Sequence, residues 1–594
     1  MLKLLKYLKP YTLQLITMIV LIFGTVAATL QLPDYMAKII NEGIVRSDNS
    51  IIFYNGLLML LIALSGAVCT IGVGYFSSKI ATGFSRDIRN KVFSRVESFS
   101  LVEFNKFSTA SLITRSTNDI QQIQMVMVLL LRMILQAPIM GLWAIFKAYH
   151  LASSLSWIIA LAVAVLLGVI FVMFAVALPK FKILQNLVDR LNLVTRENLT
   201  GLHVIRAFDN EKLEQAKFEK ANVDLTAANL FVNRLMVVMQ PAMMLILNLT
   251  SVLIVWMGSR LINSGSLEIG SMIAFMQYAM QVIMSFLMIS IVFIMVPRAS
   301  VSAGRVNEVI DTEPIIKNPL KPIFAKNFYG GAVEFKNVTF CYPGADTPVL
   351  ENISFKTNPG ETTAIIGSTG SGKSTLINLI PRFYDVSSGK ILLDKVDVRA
   401  YKLEDLYAKI GYVPQKGVLF SGTVESNIKY GAPRAAETEV KKSAEISQAE
   451  EFIRNLDGKL KAPIAQGGAN VSGGQKQRLS IARAIIKKPE IYIFDDSFSA
   501  LDFKTDSMLR QALKSETENK TVLIVAQRIS TILSAEKIIV LNDGKIVGEG
   551  THEQLLKDCN VYREIAYSQL SEEELKAYQI NVDQKKSKID NNQA

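Results

Sequence analysis

"TTAIIGSTGSGKSTLINLI", residues 362–380, decides how the rest of the chain is read. It opens as a short apolar run suited to a buried strand, turns glycine-rich, and from Lys373 takes up helical spacing. Gly367, Gly370 and Gly372 let backbone N–H groups close around phosphates. Lys373 is placed to reach the β and γ phosphates, and the hydroxyl of Ser374 to ligate magnesium. The match to GxxxxGK[ST] is complete and sits between strand and helix, so a purely structural turn is set aside. The candidate nucleotide-binding loop is therefore Gly367, Ser368, Thr369, Gly370, Ser371, Gly372, Lys373, Ser374 and Thr375.

Downstream, the apolar run "IYIFD" ends at Asp495, where a carboxylate would hold the magnesium shell. Between the two lies "ANVSGGQKQRLSIARA", in which Ser472, Gly473, Gly474 and Gln475 open a helix whose N-terminus attracts an anion. Taken alone this segment reads as a glycine-containing cap. Its order relative to the other two motifs argues against that. Upstream, "AVEFKNVTFCYP" alternates as a strand ending near Tyr342, and "DTEPIIKNPLKPIFAKNFYGG" before it reads as a linker.

The N-terminal half has another character. The chain has 594 residues, 50% apolar and 20% charged, with a positive mean hydropathy of +0.29. Too long for one soluble domain, it is a membrane part fused to a soluble part. Six apolar stretches, at about 13–33, 56–76, 125–149, 154–178, 236–262 and 270–297, are each long enough to span a bilayer. The first resembles a signal peptide, but five further spans favour a retained helix. Lys and Arg number nineteen in the terminal segment and the two long loops, against four at the opposite loops, which puts both termini in the cytoplasm. The long loops repeat apolar residues at helical spacing, so the spans should continue into the cytosol, with less regular tips near 104–119 and 201–210 suited to transmitting force.

Three cysteines, Cys69, Cys341 and Cys559, and three histidines form no ligand spacing, which excludes disulfide scaffolds and zinc sites. The net charge of +12 is assigned to anionic lipid, with no nucleic-acid partner. In the sixth span Met272, Met276, Met280, Met284 and Met288 recur every four residues, with Phe275, Tyr278 and Phe286 among them. Packing against lipid or core is one reading. A pliable face for varied apolar ligands, with Gln277, Met280, Gln281 and Met284 as contacts, is the other. Gln240 and Asn248 are further polar groups at membrane depth, and Arg132 is either intramembrane or snorkelling at the interface.

Together these motifs resemble an ATP-binding cassette (ABC) exporter half-transporter. The resemblance implies an all-α six-helix transmembrane domain with long cytoplasmic extensions, fused to an α/β P-loop nucleotide-binding domain. Residues 1–310 would be the transmembrane domain, 311–330 a linker, 331–570 the nucleotide-binding domain and 571–594 a polar tail. By resemblance, "VSGGQ" (Val471 to Gln475) matches the signature LSGGQ, which serves the γ-phosphate held by a partner. Tyr342 matches the residue stacking on adenine, Gln415 the loop glutamine that senses magnesium, and "SALD" (Ser499 to Asp502) a loop crossing the dimer interface. The implied ligands are ATP and Mg2+.

Two positions depart from the family. The carboxylate after Asp495 is Asp496 where glutamate is ordinary, and Gln527 stands where a histidine is expected. Glutamine cannot carry a proton or charge at neutral pH, and losing a positioned acid–base group costs about 10² to 10⁴ in rate. Gln466 is a weaker third departure. The pattern resembles the degenerate-site subunit of bacterial heterodimeric multidrug exporters. That implies a second, different half-transporter as partner, hydrophobic or amphipathic cargo, and residence in a bacterial cell membrane. The rivals are an exporter of lipid, peptide or an endogenous metabolite, an ATP-gated channel, and a regulatory subunit. The absence of a peptidase-like segment before the first span weighs against peptide processing, and the lack of charged rings along the spans against a channel.

Overall fold

The computed structural model describes residues 2–323 and 330–570. The chain divides into two compact units. The first comprises Met1–Glu97 and Ser108–Thr312, and the second Ser98–Phe107 together with the chain from Glu313 onward.

Six helices among the described residues are long and apolar enough to cross a membrane. They are built on α1 (Thr12–Lys38), α2 (Asn49–Glu97), α5 (Ile120–Leu151), α6 (Ser156–Thr200), α8 (Glu211–Asn263) and α9 (Ile269–Asp311). The 49 residues of α2 and 53 of α8 extend about 73 and 80 Å at 1.5 Å per residue. A hydrocarbon layer needs only about 30 Å, so these two helices run on well beyond a span, as the loop periodicity called for. The expected irregular tips are short pieces. One holds α3 (Leu101–Lys106), α4 (Thr109–Thr114) and a π turn at Arg115–Asp119; the other breaks at Gly201 before α7 (Leu202–Ala207).

Within this unit α1 packs on α2, α5 and α9, and α6 on α8. Small residues permit the close approach: a Cβ at Gly66 would stand 2.9 Å from the Cβ of Ala28. A polar cluster also binds three helices. Asp34 of α1 accepts from Lys147 Nζ of α5 and from Tyr278 Oη of α9, each at 2.5 Å. Arg132 is exposed on α5, about 19 residues, or about 28 Å, before its end at Leu151.

On α9 the methionine-rich helix has two unlike faces. Phe275, Tyr278, Val282 and Ile283 are buried inside the unit. Met280 and Met284 are 42% and 43% exposed, with Gln277 and Gln281 half-buried beside them. Phe275 and Tyr278 therefore belong to the packed face and not to the methionine stripe. Gln240 and Asn248 on α8 are exposed in the single chain.

The second unit opens with β1 (Val333–Phe340) and β2 (Leu350–Thr357), then β3 (Thr362–Gly367) and α10 (Lys373–Leu379). Next come β4 (Ser388–Leu393), β5 (Val396–Asp397), α11 (Leu403–Lys409) and β6 (Ile410–Val413). A helical layer follows: β7 (Gly422–Thr423), α12 (Val424–Lys429), α13 (Glu437–Ile446), α14 (Glu450–Asn455), β8 (Pro463–Ile464) and α15 (Gly473–Ile485). The chain closes with β9 (Ile491–Asp495), α16 (Phe503–Glu516), β10 (Thr521–Val525), β11 (Lys537–Asn542), β12 (Lys545–Gly550), α17 (His552–Asp558) and α18 (Asn560–Gln569).

The main sheet has the order β12-β11-β3-β10-β9-β6, and all its pairings are parallel except β11 with β12. Its strands β3, β9, β10 and β11 are apolar runs buried on both faces, as parallel strands covered by helices must be. A second, antiparallel sheet, β2-β1-β4-β5, shares the core with α10. The helical layer has its own apolar core, which includes Val471, Leu419, Val424 and Leu479. Residues 571–594 and 324–329, covering the polar tail and part of the linker, lie outside the described residues.

Candidate functional site

Parallel register brings the motifs to one edge. Val525 pairs with Asp495 and with Ile365, and Phe494 with Val413. The residues just past these strand ends, namely the P-loop, Asp495 and Asp496, Gln527 and Gln415, therefore emerge side by side at the carboxyl end of the sheet. That is where open α/β sheets hold ligands.

Two glycines of the loop are required by geometry. Gly372 has φ +94°, and a Cβ there would meet Leu350 Cδ2 at 2.8 Å; a Cβ at Gly367 would stand 2.0 Å from the carbonyl oxygen of Leu541. Ser368, Thr369 and Gly370 form the exposed crest, while Ser371 and Thr375 are buried. The ammonium of Lys373 donates to the carbonyls of Gly367 (2.9 Å) and Ser368 (2.6 Å). Burial lowers its pKa, opposed by the charges of Asp496 and Asp495. Ser374 Oγ donates to Asp495 Oδ1 at 3.0 Å, which brings the hydroxyl and the strand-end carboxylate to one point.

Asp496 is buried, in the left-handed conformation at φ +46°, which aspartate tolerates better than most residues. Its Oδ2 accepts from Gln527 Nε2 at 2.8 Å and from Gln415 Nε2 at 3.2 Å. Both departures from the family pattern thus meet in one contact. Burial raises the pKa of Asp496, against the pull of its bonds to Gln415 and Ser499 and the charges of Lys373 and Arg528. Asp495 is also raised, by burial and by Asp496, with Ser374 and Lys373 opposing. The sequence marks Ser499 only as the start of the SALD segment and does not mark Arg528, because nothing in their spacing points to Asp496.

Tyr342 stands just past β1, with its hydroxyl 2.9 Å from Thr375 Oγ1 in the first turn of α10. The signature segment is elsewhere on the unit. Ser472 caps α15, accepting from Gln475 N at 3.3 Å, while Gln475 Oε1 accepts from Ser472 N at 2.9 Å. Ser472 and Gly473 are exposed, and a Cβ at Gly474 would lie 3.1 Å from the carbonyl of Ala500 in the SALD segment. Val471, which replaces the usual leucine, is 9% exposed and packs into the helical-layer core. Gln466 is exposed. The structure therefore joins the P-loop, Asp495, Asp496, Gln415 and Gln527 in one cluster and leaves the signature facing solvent.

Residues 350–499 match the ABC transporter family, and residues 15–286 match the ABC transporter transmembrane region. An uncharacterized ABC transporter ATP-binding protein of Mycobacterium tuberculosis is 41% identical over 95% of this chain and 97% of its own length. The chain belongs to the ABC transporter family. An ATP-dependent lipid A-core flippase of Pseudomonas fluorescens is 30% identical over 94% of both chains. The solved structure of a bacterial Atm1-family ABC exporter with ATP bound superimposes with a TM-score of 0.80 and 25% identity, covering 94% of this chain and 98% of that one. This ABC exporter is accordingly a multi-pass membrane protein that binds ATP and couples its hydrolysis to transport.

Proposed function

We propose that the chain is one half of a heterodimeric exporter of hydrophobic or amphipathic compounds, in which its own ATP site is degenerate and its signature serves the partner's site. The observation that carries this is the contact of Asp496 with Gln527 and Gln415. The carboxylate that would orient the attacking water is one methylene short and is held by two amides. Neither amide exchanges a proton at neutral pH. Beside its carboxylate the cluster offers only these amides, which cannot relay a proton.

In this reading Lys373 and the loop N–H groups hold the phosphates and Tyr342 stacks on adenine. Ser374, Asp495 and Gln415 face the Mg2+ that accompanies ATP. Their oxygen donors suit that hard cation. No group of three His, Cys, Asp or Glu side chains among the described residues forms a metal cage, so phosphate oxygens would complete the shell. Ser472 and Gly473, exposed at the start of α15, with half-buried Gly474 and Gln475 beside them, would meet the phosphate held by the partner. The asymmetry of Lys and Arg supports a cytoplasmic nucleotide unit and cytoplasmic termini, and the bacterial relatives support a bacterial cell membrane. The working boundaries are 1–310, 311–330 and 331–570, with Ser98–Phe107 assigned to the nucleotide unit. Cargo contact is assigned to the open face of α9, at Gln277, Met280, Gln281 and Met284. A lipid cargo is the second reading, favoured by the likeness to the lipid A-core flippase.

The test is ATP turnover by the purified chain alone in lipid, and then with its partner half. Near-zero turnover alone and restoration by a different half are expected. Robust, vanadate-sensitive hydrolysis by the chain alone overturns the heterodimer reading.

A further inference from the structure

The ten residues Ser98–Phe107 lie between two membrane-spanning stretches in sequence, yet they pack as part of the nucleotide-binding unit. Glu103, 3% exposed, anchors them. One carboxylate oxygen accepts from Ser100 N and Oγ, and the other accepts the backbone N–H of Ile315 at 3.1 Å. Leu101 and Val102 pack against the apolar core shared by the antiparallel sheet and α10. Asn105 Nδ2 then donates to the hydroxyl of Tyr384 at 3.3 Å.

Tyr384 is 7% exposed, and its ring meets that of Tyr342 edge-to-face, with centroids 5.3 Å apart and planes at 89°. Phe340 closes the group, 4.9 Å from Tyr342 and 5.5 Å from Tyr384. Tyr342 is pinned from the opposite end by Thr375. Edge-to-face pairs hold a defined ring orientation, so the angle at which Tyr342 presents its face is set jointly by the P-loop helix and by Tyr384.

We propose that Tyr384, held in place by Asn105 at the tip of the first cytoplasmic loop, is a positioning residue for the adenine-stacking face of Tyr342. The loop between two membrane spans thereby contributes to affinity for the base and leaves the phosphates to the P-loop. This rests on the assignment of Tyr342 as the base-stacking residue.

Equilibrium binding of ATP and of inorganic tripolyphosphate, which lacks a base, separates the possibilities in the full chain reconstituted in lipid. Asn105→Ala and Tyr384→Phe are expected to weaken ATP about three- to tenfold, the span of one lost hydrogen bond. Tripolyphosphate binding should be unchanged. Tyr342→Ala should weaken ATP at least as much and also spare tripolyphosphate. If Tyr342→Ala weakens ATP and the other two variants do not, the positioning role is overturned and the stacking assignment stands. If Tyr342→Ala leaves ATP affinity unchanged, the stacking assignment fails and the proposal with it. Equal weakening of both ligands by Asn105→Ala or Tyr384→Phe would show general loosening of the unit and overturn the proposal. Asn105 is exposed, so its variant keeps the test open if Tyr384→Phe fails to fold.

Discussion

At Asp496 two buried carboxylates stand on consecutive residues, and the pKa of each is raised chiefly by burial. A carboxyl whose folded pKa lies above its unfolded value binds protons more readily when folded. Its favourable contribution is therefore present at low pH and lost as pH rises through the folded pKa. Above that folded pKa the ionised pair opposes folding, and there Asp496→Asn should stabilise the nucleotide unit. In a domain of this size each ~1 kcal/mol moves Tm by about 2–4 °C, the scale on which the gain is read. The gain should shrink on acidification, as the unsubstituted protein takes up its own proton. Thermal melts at several pH values check this, and a gain that grows towards acid would contradict it. The same substitution should leave turnover of the assembled heterodimer within a few fold. Ser472→Ala or Gly474→Ala should nearly abolish it, Gly474→Ala by pressing on the carbonyl of Ala500. Equal damage from Asp496→Asn would make Asp496 a catalytic residue.

Among the elements, α9 carries the question of cargo. Its packed face, through Tyr278, is tied to Asp34 and to the carbonyl of Leu30 on α1, which leaves the open face free to vary in sequence without loosening the bundle. Met280 and Met284 on that face are flexible and polarizable. In the proposed cargo site, apolar contact with them would yield about 25 cal/mol per Å² buried, and Gln277 and Gln281 would supply hydrogen bonds that orient a ligand. Met280→Ala or Met284→Ala should shift the relative transport of three chemically unlike compounds more than it shifts basal ATP hydrolysis in the reconstituted heterodimer. Parallel changes in all three with the ATPase rate, or no change, would make the stripe a packing surface.

For the whole molecule, the proposed dependence on a partner rests on what the cluster around Asp496 lacks. If the two departures are the whole defect, Asp496→Glu combined with Gln527→His should give the chain alone measurable hydrolysis, since a second copy would present an intact Ser472–Gln475 segment. Either substitution by itself should do far less, because a carboxylate and its proton-bearing neighbour act as a unit. Turnover by the double variant that stays at the level of the unaltered chain would place a further defect elsewhere.

The sequence by itself determined the architecture and the identity of the ATP motifs. Hydrophobic length sets a membrane span whatever its neighbours, and the P-loop is a local device whose strand, glycines and helix are contiguous from Thr362 to Leu379. The helical extensions of the spans were legible for the same reason, from periodicity alone. What only the tertiary structure decided involves residues far apart in the chain. The convergence of Gln415, Asp496 and Gln527 depends on strand order β10-β9-β6, which seats β6 beside β9 although 81 positions separate Gln415 from Asp496. The division of α9 into a packed face with Phe275 and Tyr278 and an open one with Met280 and Met284 depends on which helices abut it. The assignment of Ser98–Phe107 to the nucleotide unit depends on Glu103, a buried carboxylate whose partner Ile315 lies more than two hundred residues away. No local pattern records a contact across such a separation, because its energy exists only once the intervening chain has folded.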